Sequence, residues 1–181
     1  MKQELIHILT DLVAINSVNP DLSKAGQGEH EIAEYIHHYF KKLNIPSNIH
    51  SIQVDRSNTT ALLEGKNPAK ILLMNGHIDT VGIEGMKEPF TLRKNEDRLY
   101  GRGTYDMLAG CTVQMGLAKY FSQNPPPLSL AFTFVADEEN LSMGMELSLI
   151  HISEPTRLLS IAVCLLWVEK KKGGRGGGGG G

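Results

Sequence analysis

Two predominantly apolar runs are the feature that most constrains the fold of this chain. They are Ile71–Met74 and Leu130–Val135, and each is short for a helix. A strand with one solvated face alternates apolar and polar residues, whereas a strand that is covered on both faces reads as a continuous apolar run. We therefore expect the two runs to be neighbouring or near-neighbouring parallel strands within one sheet.

Segments with helical spacing of apolar residues separate these runs. The predicted helices are Lys2–Ala14, Gly28–Leu43 and Met107–Phe121. Further strands are expected at Asn48–Val54 and Thr59–Glu64, with a small hairpin around Asn95 to Asp97. The alternation predicts an α/β fold in which a mostly parallel sheet is sandwiched between helices, with the three predicted helices burying both of its faces.

The C-terminal segment, residues 147–181, differs in character from the rest. It begins LSLIHISEPTR, which resembles a translated transposase-type sequencing adapter, and it ends in a lysine run and a glycine run. We expect residues 1–146 to be the native part and residues 147–181 to be a non-native tail. The alternative is a genuine apolar helix, Leu158–Val168, followed by a flexible linker. That helix would be too short for a membrane span, which needs ~20 residues.

Charge and cysteine content exclude some classes of partner. Residues 147–181 hold five of the 18 Lys and Arg and two of the 20 Asp and Glu, which leaves 13 basic against 18 acidic residues, a formal charge of −5. Nucleic acids and anionic membranes are bound through clustered Lys and Arg, so we expect neither as a partner. Two cysteines are too few for a disulfide framework, and the N-terminus lacks a signal-peptide pattern. We expect a cytoplasmic protein.

Side chains that can bind metal ions follow both apolar runs. They are His77 and Asp79 after the first run and Asp137, Glu138 and Glu139 after the second, with Asp106 between them after the turn GRGTYD. Parallel α/β sheets keep their ligand sites at the carboxyl ends of the strands. In an extended His-x-Asp step both side chains face one side, so that the aspartate can orient an imidazole that binds a metal.

Each of these signals also has a purely structural interpretation. A histidine after a strand is commonly a polar loop residue, an aspartate after glycines is a turn former, and the run Asp137–Glu139 could be a solvated acidic loop. What favours a shared divalent cation is that all three groups occur at strand ends, where a cation would offset their mutual repulsion. The solvated loop stays open as the alternative.

Three segments carry a resemblance to a known family. NGHIDTVG, LYGRGTYDMLAG and FVADEENLSMGM resemble the motifs of the dinuclear zinc amidohydrolases and peptidases that include acetylornithine deacetylase, succinyl-diaminopimelate desuccinylase, aminoacylase and carboxypeptidase G. The likeness runs from ELIHILTDLVAINSVNPDL through Glu146, covers the N-terminal part of the catalytic domain and excludes the tail. Leu108 stands where the family usually has lysine and Leu141 where glycine is common, but neither position is a ligand.

The resemblance implies a truncated catalytic domain of the zinc-exopeptidase type, with two Zn²⁺ per site and Co²⁺ or Mn²⁺ as substitutes. It implies catalytic roles for Glu138, the general base, and for Asp79, which would orient His77. The metal ligands would be His77, Asp106, which would bridge both ions, and Glu139. A non-proline cis peptide bond would follow Asp106.

The implied activity is hydrolysis of the amide bond of an N-acyl amino acid or short peptide by a full-length parent protein. Further ligands and a lid domain, through which the parent would form a homodimer, belong to later sequence, so we expect this chain alone to be inactive. The alternatives are a dipeptidase or carboxypeptidase on the same scaffold, or a non-catalytic metal-binding module, against which Glu138 argues. Asp137 is left without a catalytic role, and we expect it to accept backbone N–H groups of the next helix, so that Asp137→Asn would be mild.

Overall fold

The computed structural model describes residues 1–145, so the predicted tail, residues 147–181, lies outside the described residues. The elements in chain order are α1 (Lys2–Ala14), α2 (His30–Lys42), β1 (Ser47–Gln53), β2 (Arg56–Leu63), β3 (Ile71–His77), β4 (Arg93–Asn95), β5 (Arg98–Tyr100), α3 (Leu108–Gln123) and β6 (Ser129–Val135). Every helix and strand predicted within this range is present, with ends that differ by no more than three residues. No helix in this part of the chain is long and apolar enough to cross a membrane.

Four of the strands form one sheet in the order β1-β2-β6-β3, and β4 and β5 form a separate hairpin. β3 and β6 are parallel neighbours, as predicted, with Ile71 opposite Ser129 and His77 opposite Val135. β2 runs antiparallel to both β1 and β6. The α/β class is confirmed, but the described sheet is mixed rather than mostly parallel.

The antiparallel edge of the sheet has a local cause. Only Val54 and Asp55 connect β1 to β2, and a connection of two residues joins strands only when they run antiparallel. Asp55 has a φ of +59°, in the left-handed region that such short hairpin turns use. Apolar pattern predicts that a strand exists but does not report its direction, which explains the difference from the expected sheet.

The main hydrophobic core lies between one face of the sheet and the three helices. Leu130, Phe132 and Phe134 of β6 project into it. The ring of Phe40 in α2 has its centroid 5.3 Å from that of Phe132 and 5.8 Å from that of Phe134. All three rings are fully buried, and each contributes roughly 1.5–3 kcal/mol relative to an exposed side chain. These contacts fix α2 against the centre of the sheet.

The opposite face of the sheet carries a smaller apolar cluster. Its members are Ile71, Leu73 and Ala131, with Leu62 packed against them. α1, α2 and α3 contribute no buried residue to this cluster, so within residues 1–145 all three helices lie on one face. The expectation that these helices would bury both faces is corrected. In β6 the large side chains of Leu130, Phe132 and Phe134 lie in the helix-facing core, and the alternate positions include the smaller Ser129 and Thr133.

The pairing of β3 with β6 determines where the loops meet. Because His77 lies opposite Val135, the segments that follow the two strands leave the sheet at the same edge. A third segment joins them there, since Val18 forms a parallel bridge with Thr80 and the N–H of Asn19 donates to the Thr80 carbonyl at 2.9 Å. The loop between α1 and α2 therefore lies against the same edge.

Candidate metal centre

Three of the predicted site residues meet at this edge of the sheet. Within residues 1–145, His77, Glu138 and Glu139 form the one group of at least three candidate ligands whose ligand atoms all lie within 4.8 Å of one another. His77 is the last residue of β3, and the glutamates follow the end of β6 after two intervening residues. The parallel register, which places His77 opposite Val135, brings them together.

The imidazole of His77 is buried and faces acidic groups with both nitrogens. Nδ1 lies 3.1 Å from the backbone carbonyl oxygen of Asp79 and 3.4 Å from its Oδ1. Nε2 lies 3.0 Å from Asp106 Oδ1 and 3.8 Å from Glu138 Oε2. Burial alone lowers the pKa of His77, but the hydrogen bonds and charges of Asp79, Asp106 and Glu138 outweigh it and raise the pKa to about 9.

Asp79 also fixes the backbone that carries the two glutamates. Its Oδ1 accepts the N–H of Glu138 and its Oδ2 accepts the N–H of Glu139, both at 3.0 Å. Burial opposes ionisation, yet the interactions with His77, with the Glu139 N–H and with the Asn19 side chain leave the pKa of Asp79 below its ordinary value. The sequence pattern predicts the contact with His77, but it gives no sign of this clamp on the glutamate backbone.

The run of three acidic residues is not a uniformly solvated loop. Asp137 is fully buried, Glu139 is half-buried, and only Glu138 is exposed, with 47% of its side chain accessible. Partial burial raises the pKa of Glu139; the His77 charge counters this, whereas the charges of Asp106, Asp79 and Glu138 add to it. This crowding of like charges is an energetic cost that a cation would offset.

Asp106 approaches the same place from the loop before α3. Its side chain is 71% exposed, and its Oδ1 contacts His77 Nε2. The peptide bond between Asp106 and Met107 is cis, as the family resemblance implies. Gly103, three residues before Asp106, has a φ of +71°. A Cβ at this position would lie 2.6 Å from Thr80 Cγ2, so the turn favours glycine.

Asp137 has a larger structural role than predicted. Its Oδ2 accepts the backbone N–H groups of Leu141 and Met143, both at 3.3 Å, in agreement with the expected contact with backbone N–H groups. Its Oδ1 in addition accepts from Asn19 Nδ2 at 3.0 Å and from the Arg56 guanidinium at 2.9 Å. The expectation that Asp137→Asn would be mild therefore no longer follows.

Arg56 is a buried cation that the sequence analysis did not single out. Two of its nitrogens donate to the two carboxylate oxygens of Glu29, each at 3.0 Å, and a third donates to Asp21 at 2.6 Å. Burial lowers the pKa of Arg56, but Glu29, Asp137 and Asp21 outweigh it and raise the pKa above its ordinary value. A lone arginine at the start of a polar strand gives no sequence signal of burial.

The chemistry of the donor set fits a divalent cation. One imidazole nitrogen beside several carboxylate oxygens matches the nitrogen and oxygen ligands that Zn²⁺ takes in proteins. Imidazole and carboxylate ligands also suit other first-row divalent ions, and geometry and availability rather than ligand type then select the ion. The residues present, His77, Glu139 and Asp106 with Glu138 beside them, therefore suit a metal site better than a solvated acidic loop.

Comparison with known proteins agrees with the motif likeness. Residues 73–172 match the sequence model of Peptidase family M20/M25/M40. A probable succinyl-diaminopimelate desuccinylase of Staphylococcus aureus (strain MRSA252) is 30% identical over 152 residues, covering 81% of this chain and 35% of that protein. The protein YqjN of Bacillus subtilis (strain 168) is 30% identical over 175 residues, covering 80% and 31%. The chain thus spans about a third of the length of these relatives, 35% and 31%.

Solved structures share the fold. Human carnosine dipeptidase 1 superimposes with a TM-score of 0.68 at 18% identity, covering 88% of this chain and 38% of that chain. At that identity the likeness concerns the fold alone. The family match runs past Glu146 into residues 147–181, and the non-native origin of that segment stays a prediction.

Proposed function

The chain belongs to Peptidase family M20/M25/M40, and from that membership together with the metal centre we propose that its parent protein is a metal-dependent hydrolase of small amide substrates. The observation that carries the proposal is the convergence of His77, Glu138 and Glu139 at the edge where two parallel strands end. Because the chain spans about a third of its relatives, 31% and 35% of the two compared, the activity concerns a protein that also contains the remaining sequence.

We propose that His77, Glu139 and Asp106 would hold the metal, and the family resemblance implies that Asp106 would be shared by two ions. Zn²⁺ is the proposed metal, and Co²⁺ or Mn²⁺ would substitute for it because they accept the same nitrogen and oxygen donors. A divalent cation held there supplies Lewis acidity, which polarises an amide carbonyl and makes water a stronger nucleophile at neutral pH. The likeness to the two-metal family supports two ions per site.

Glu138 is the proposed general base. Its side chain is 47% exposed and so would be accessible to a substrate, while Asp79 accepts its backbone N–H at 3.0 Å. Its carboxylate takes a proton from the attacking water and returns that proton to the departing amine, so one group serves as base and then as acid. Asp79 holds His77 and the backbone of both glutamates in place.

N-acyl amino acids are the proposed substrates. The Staphylococcus aureus relative, 30% identical to this chain, is named a probable desuccinylase, which supports a substrate whose amino group carries an acyl group. A dipeptidase or carboxypeptidase reaction is the second candidate, and membership of a peptidase family supports it. A non-catalytic metal-binding module would leave the exposed carboxylate of Glu138 without a use.

Further proposals concern the setting of the protein. We propose a cytoplasmic enzyme that binds neither nucleic acid nor membrane and that dimerises through a lid domain outside this chain. The formal charge of −2, with 18 basic and 20 acidic residues over the whole chain, and the free thiol of Cys111 support the first two points. The likeness to the family supports the third.

The test compares Glu138→Ala and Glu139→Ala in a protein that carries this chain at the length of its relatives, with the exposed Glu31→Ala as the control. Glu138→Ala should keep its metal content and lose about 10²–10⁴ in turnover, which is typical for a lost general base. Glu139→Ala should lose metal first and regain part of its activity with excess Zn²⁺. Metal analysis and kinetics on N-acetyl and N-succinyl amino acids and on dipeptides measure both effects. Small and equal effects in the two variants would contradict the proposal.

A further inference from the structure

A network of buried polar side chains lies behind the metal centre, and the proposed chemistry makes no use of most of it. Its members, here called the Arg56 network, are Arg56, Glu29, Asp137, Asn19 and Asp79. Arg56 is 2% exposed and the other four are fully buried. Buried charges are costly unless they are paired and hydrogen-bonded, and a well-packed apolar core is often no less stable than a buried ion pair. Stability alone therefore explains this network poorly.

Arg56 is the fixed end of the network. Its Nε and one terminal nitrogen each donate to a different oxygen of Glu29 at 3.0 Å, and the same terminal nitrogen donates to Asp137 Oδ1 at 2.9 Å. A bidentate pair of this kind defines orientation as well as distance. Glu29 directly precedes α2 and Arg56 is the first residue of β2, so the pair ties the network to two regular elements.

Asn19 links the two aspartates of the network. Its Nδ2 donates to Asp137 Oδ1 at 3.0 Å and to Asp79 Oδ2 at 3.2 Å. Its Oδ1 accepts the N–H of Asp21 at 3.0 Å, and its own N–H donates to the Thr80 carbonyl at 2.9 Å, so both ends of the residue are fixed. An amide nitrogen carries two hydrogens, so it can satisfy both carboxylates without adding a charge.

The two aspartates in turn hold the loop that carries the glutamates. Asp79 accepts the backbone N–H groups of Glu138 and Glu139, and Asp137 accepts those of two residues further along the same loop. The two carboxylates therefore accept hydrogen bonds from four backbone N–H groups of this short loop. Movement of either aspartate would move the loop with it.

We propose that Asn19 and Arg56 are positioning residues of the metal centre, which act through Asp79 and Asp137 on the loop that carries both glutamates. The inference rests on the proposed function, since it assumes that this loop binds a metal. Neither residue is a proposed metal ligand or the proposed general base. A network that only stabilised the fold would change the free energy of unfolding, whereas a positioning network also changes loop order and cation affinity in molecules that remain folded.

The test uses Asn19→Ala, which removes the shared donor, and Arg56→Lys, which keeps the charge but loses the bidentate geometry. The exposed residues Asn48 and Arg98 supply matched controls as Asn48→Ala and Arg98→Lys. All variants are made in the full chain. Circular dichroism and thermal unfolding identify the conditions under which each variant is folded.

Two readouts follow under those conditions. Hydrogen exchange of the Glu138 and Glu139 amides is measured in metal-free protein, and Co²⁺ is titrated while its visible absorption is recorded. We expect both amides to exchange at least about tenfold faster in Asn19→Ala, because opening of the loop governs exchange there. The dissociation constant for Co²⁺ should rise about 10–100-fold, which is typical when a group that orients a ligand is lost. Arg56→Lys should show a smaller change in the same direction.

The outcomes separate this inference from the proposed function. Faster exchange together with weaker Co²⁺ binding in a folded Asn19→Ala or Arg56→Lys variant, with unchanged controls, supports the positioning role. Unchanged exchange and affinity in folded variants overturn it, while Co²⁺ binding by the wild-type chain leaves the proposed function intact. Loss of the fold in both variants assigns the network to stability alone and also overturns it. A wild-type chain that binds no Co²⁺ overturns this inference, whereas the proposed function, which concerns the longer parent protein, is tested there by Glu138→Ala and Glu139→Ala.

Discussion

Asp137→Asn would change one atom of a side chain that four hydrogen-bond donors surround. Arg56 and Asn19 donate to one carboxylate oxygen, and the backbone N–H groups of Leu141 and Met143 donate to the other. An ionised aspartate only accepts, whereas asparagine presents an oxygen at one end and an NH₂ donor at the other. In either orientation of the amide, two of the four contacts place a donor against a donor.

The magnitude follows from the lengths of these contacts. The amide NH₂ should turn toward Leu141 and Met143, because their bonds are 3.3 Å long, while those from Arg56 and Asn19 are 2.9 and 3.0 Å. Losing two neutral hydrogen bonds and weakening one buried ion pair lowers the free energy of unfolding by about 2–4 kcal/mol. The loss stays below that of an unpaired buried charge because Arg56 keeps both bonds to Glu29.

Urea unfolding of the full chain, followed by far-ultraviolet circular dichroism, measures the change as a shift of the midpoint at a constant slope. Asp97→Asn, in the exposed turn between β4 and β5, is the matched control and should stay within about 0.5 kcal/mol of the wild type. A shift for Asp137→Asn no larger than that of the control would refute the reasoning. It would mean that Asp137 is not a buried acceptor and that the loop is solvated after all.

Local geometry and sequence origin give three further predictions. Gly144→Ala should lower the midpoint of thermal unfolding, because a Cβ there would lie 2.3 Å from the backbone oxygen of Ala136. Gly110→Ala is the control and should leave the midpoint unchanged, because the nearest atom to its Cβ, at 2.8 Å, is the flexible end of the Met107 side chain. Equal midpoints for the two variants would contradict the prediction. Burial raises the pKa of the Cys111 thiol to about 12, so a thiol reagent at pH 8 should modify Cys111 only after unfolding. The measurement uses a variant in which the other cysteine is replaced by serine, and rapid labelling of the folded protein would contradict the prediction. Genomic DNA should encode a different sequence in place of residues 147–181, and an identical one would show the tail to be native.

The sequence predicts parts of the fold that local pattern controls. The apolar runs at Ile71–Met74 and Leu130–Val135 predict two strands and their parallel pairing, because largely apolar strands that alternate with helical segments are typical of parallel sheets. The direction of β1 and β2 depends instead on the two-residue turn at Val54 and Asp55, which apolar periodicity does not register. The one-sided placement of the helices coincides with large side chains at alternate positions of β6, which a simple division into apolar and polar residues does not register.

The candidate site divides in the same way. His77 ends β3, and Glu138 and Glu139 lie within four residues of the end of β6, so prediction of the two parallel strands brings them to one edge. Asn19 and Arg56 make their contacts to Asp137 across 118 and 81 residues, and no local spacing encodes such contacts. Their neighbours in sequence are typical of a helix-ending loop and of a polar strand, and burial becomes visible only in three dimensions.

The position of β6 in the sheet sets an order of events during synthesis. β6 is the last of the described strands to be made, yet it lies between β2 and β3 and is the one strand in residues 1–145 that joins them. Asp137 leaves the ribosome 118 residues after Asn19, which at typical elongation rates is about 6–24 s later. Until then β3 lacks its neighbour and Asn19 lacks its buried acceptor, whereas Arg56 and Glu29, 27 residues apart, have both been made. Insertion of this late strand therefore fills the gap between β2 and β3 and brings Glu138 and Glu139 to His77.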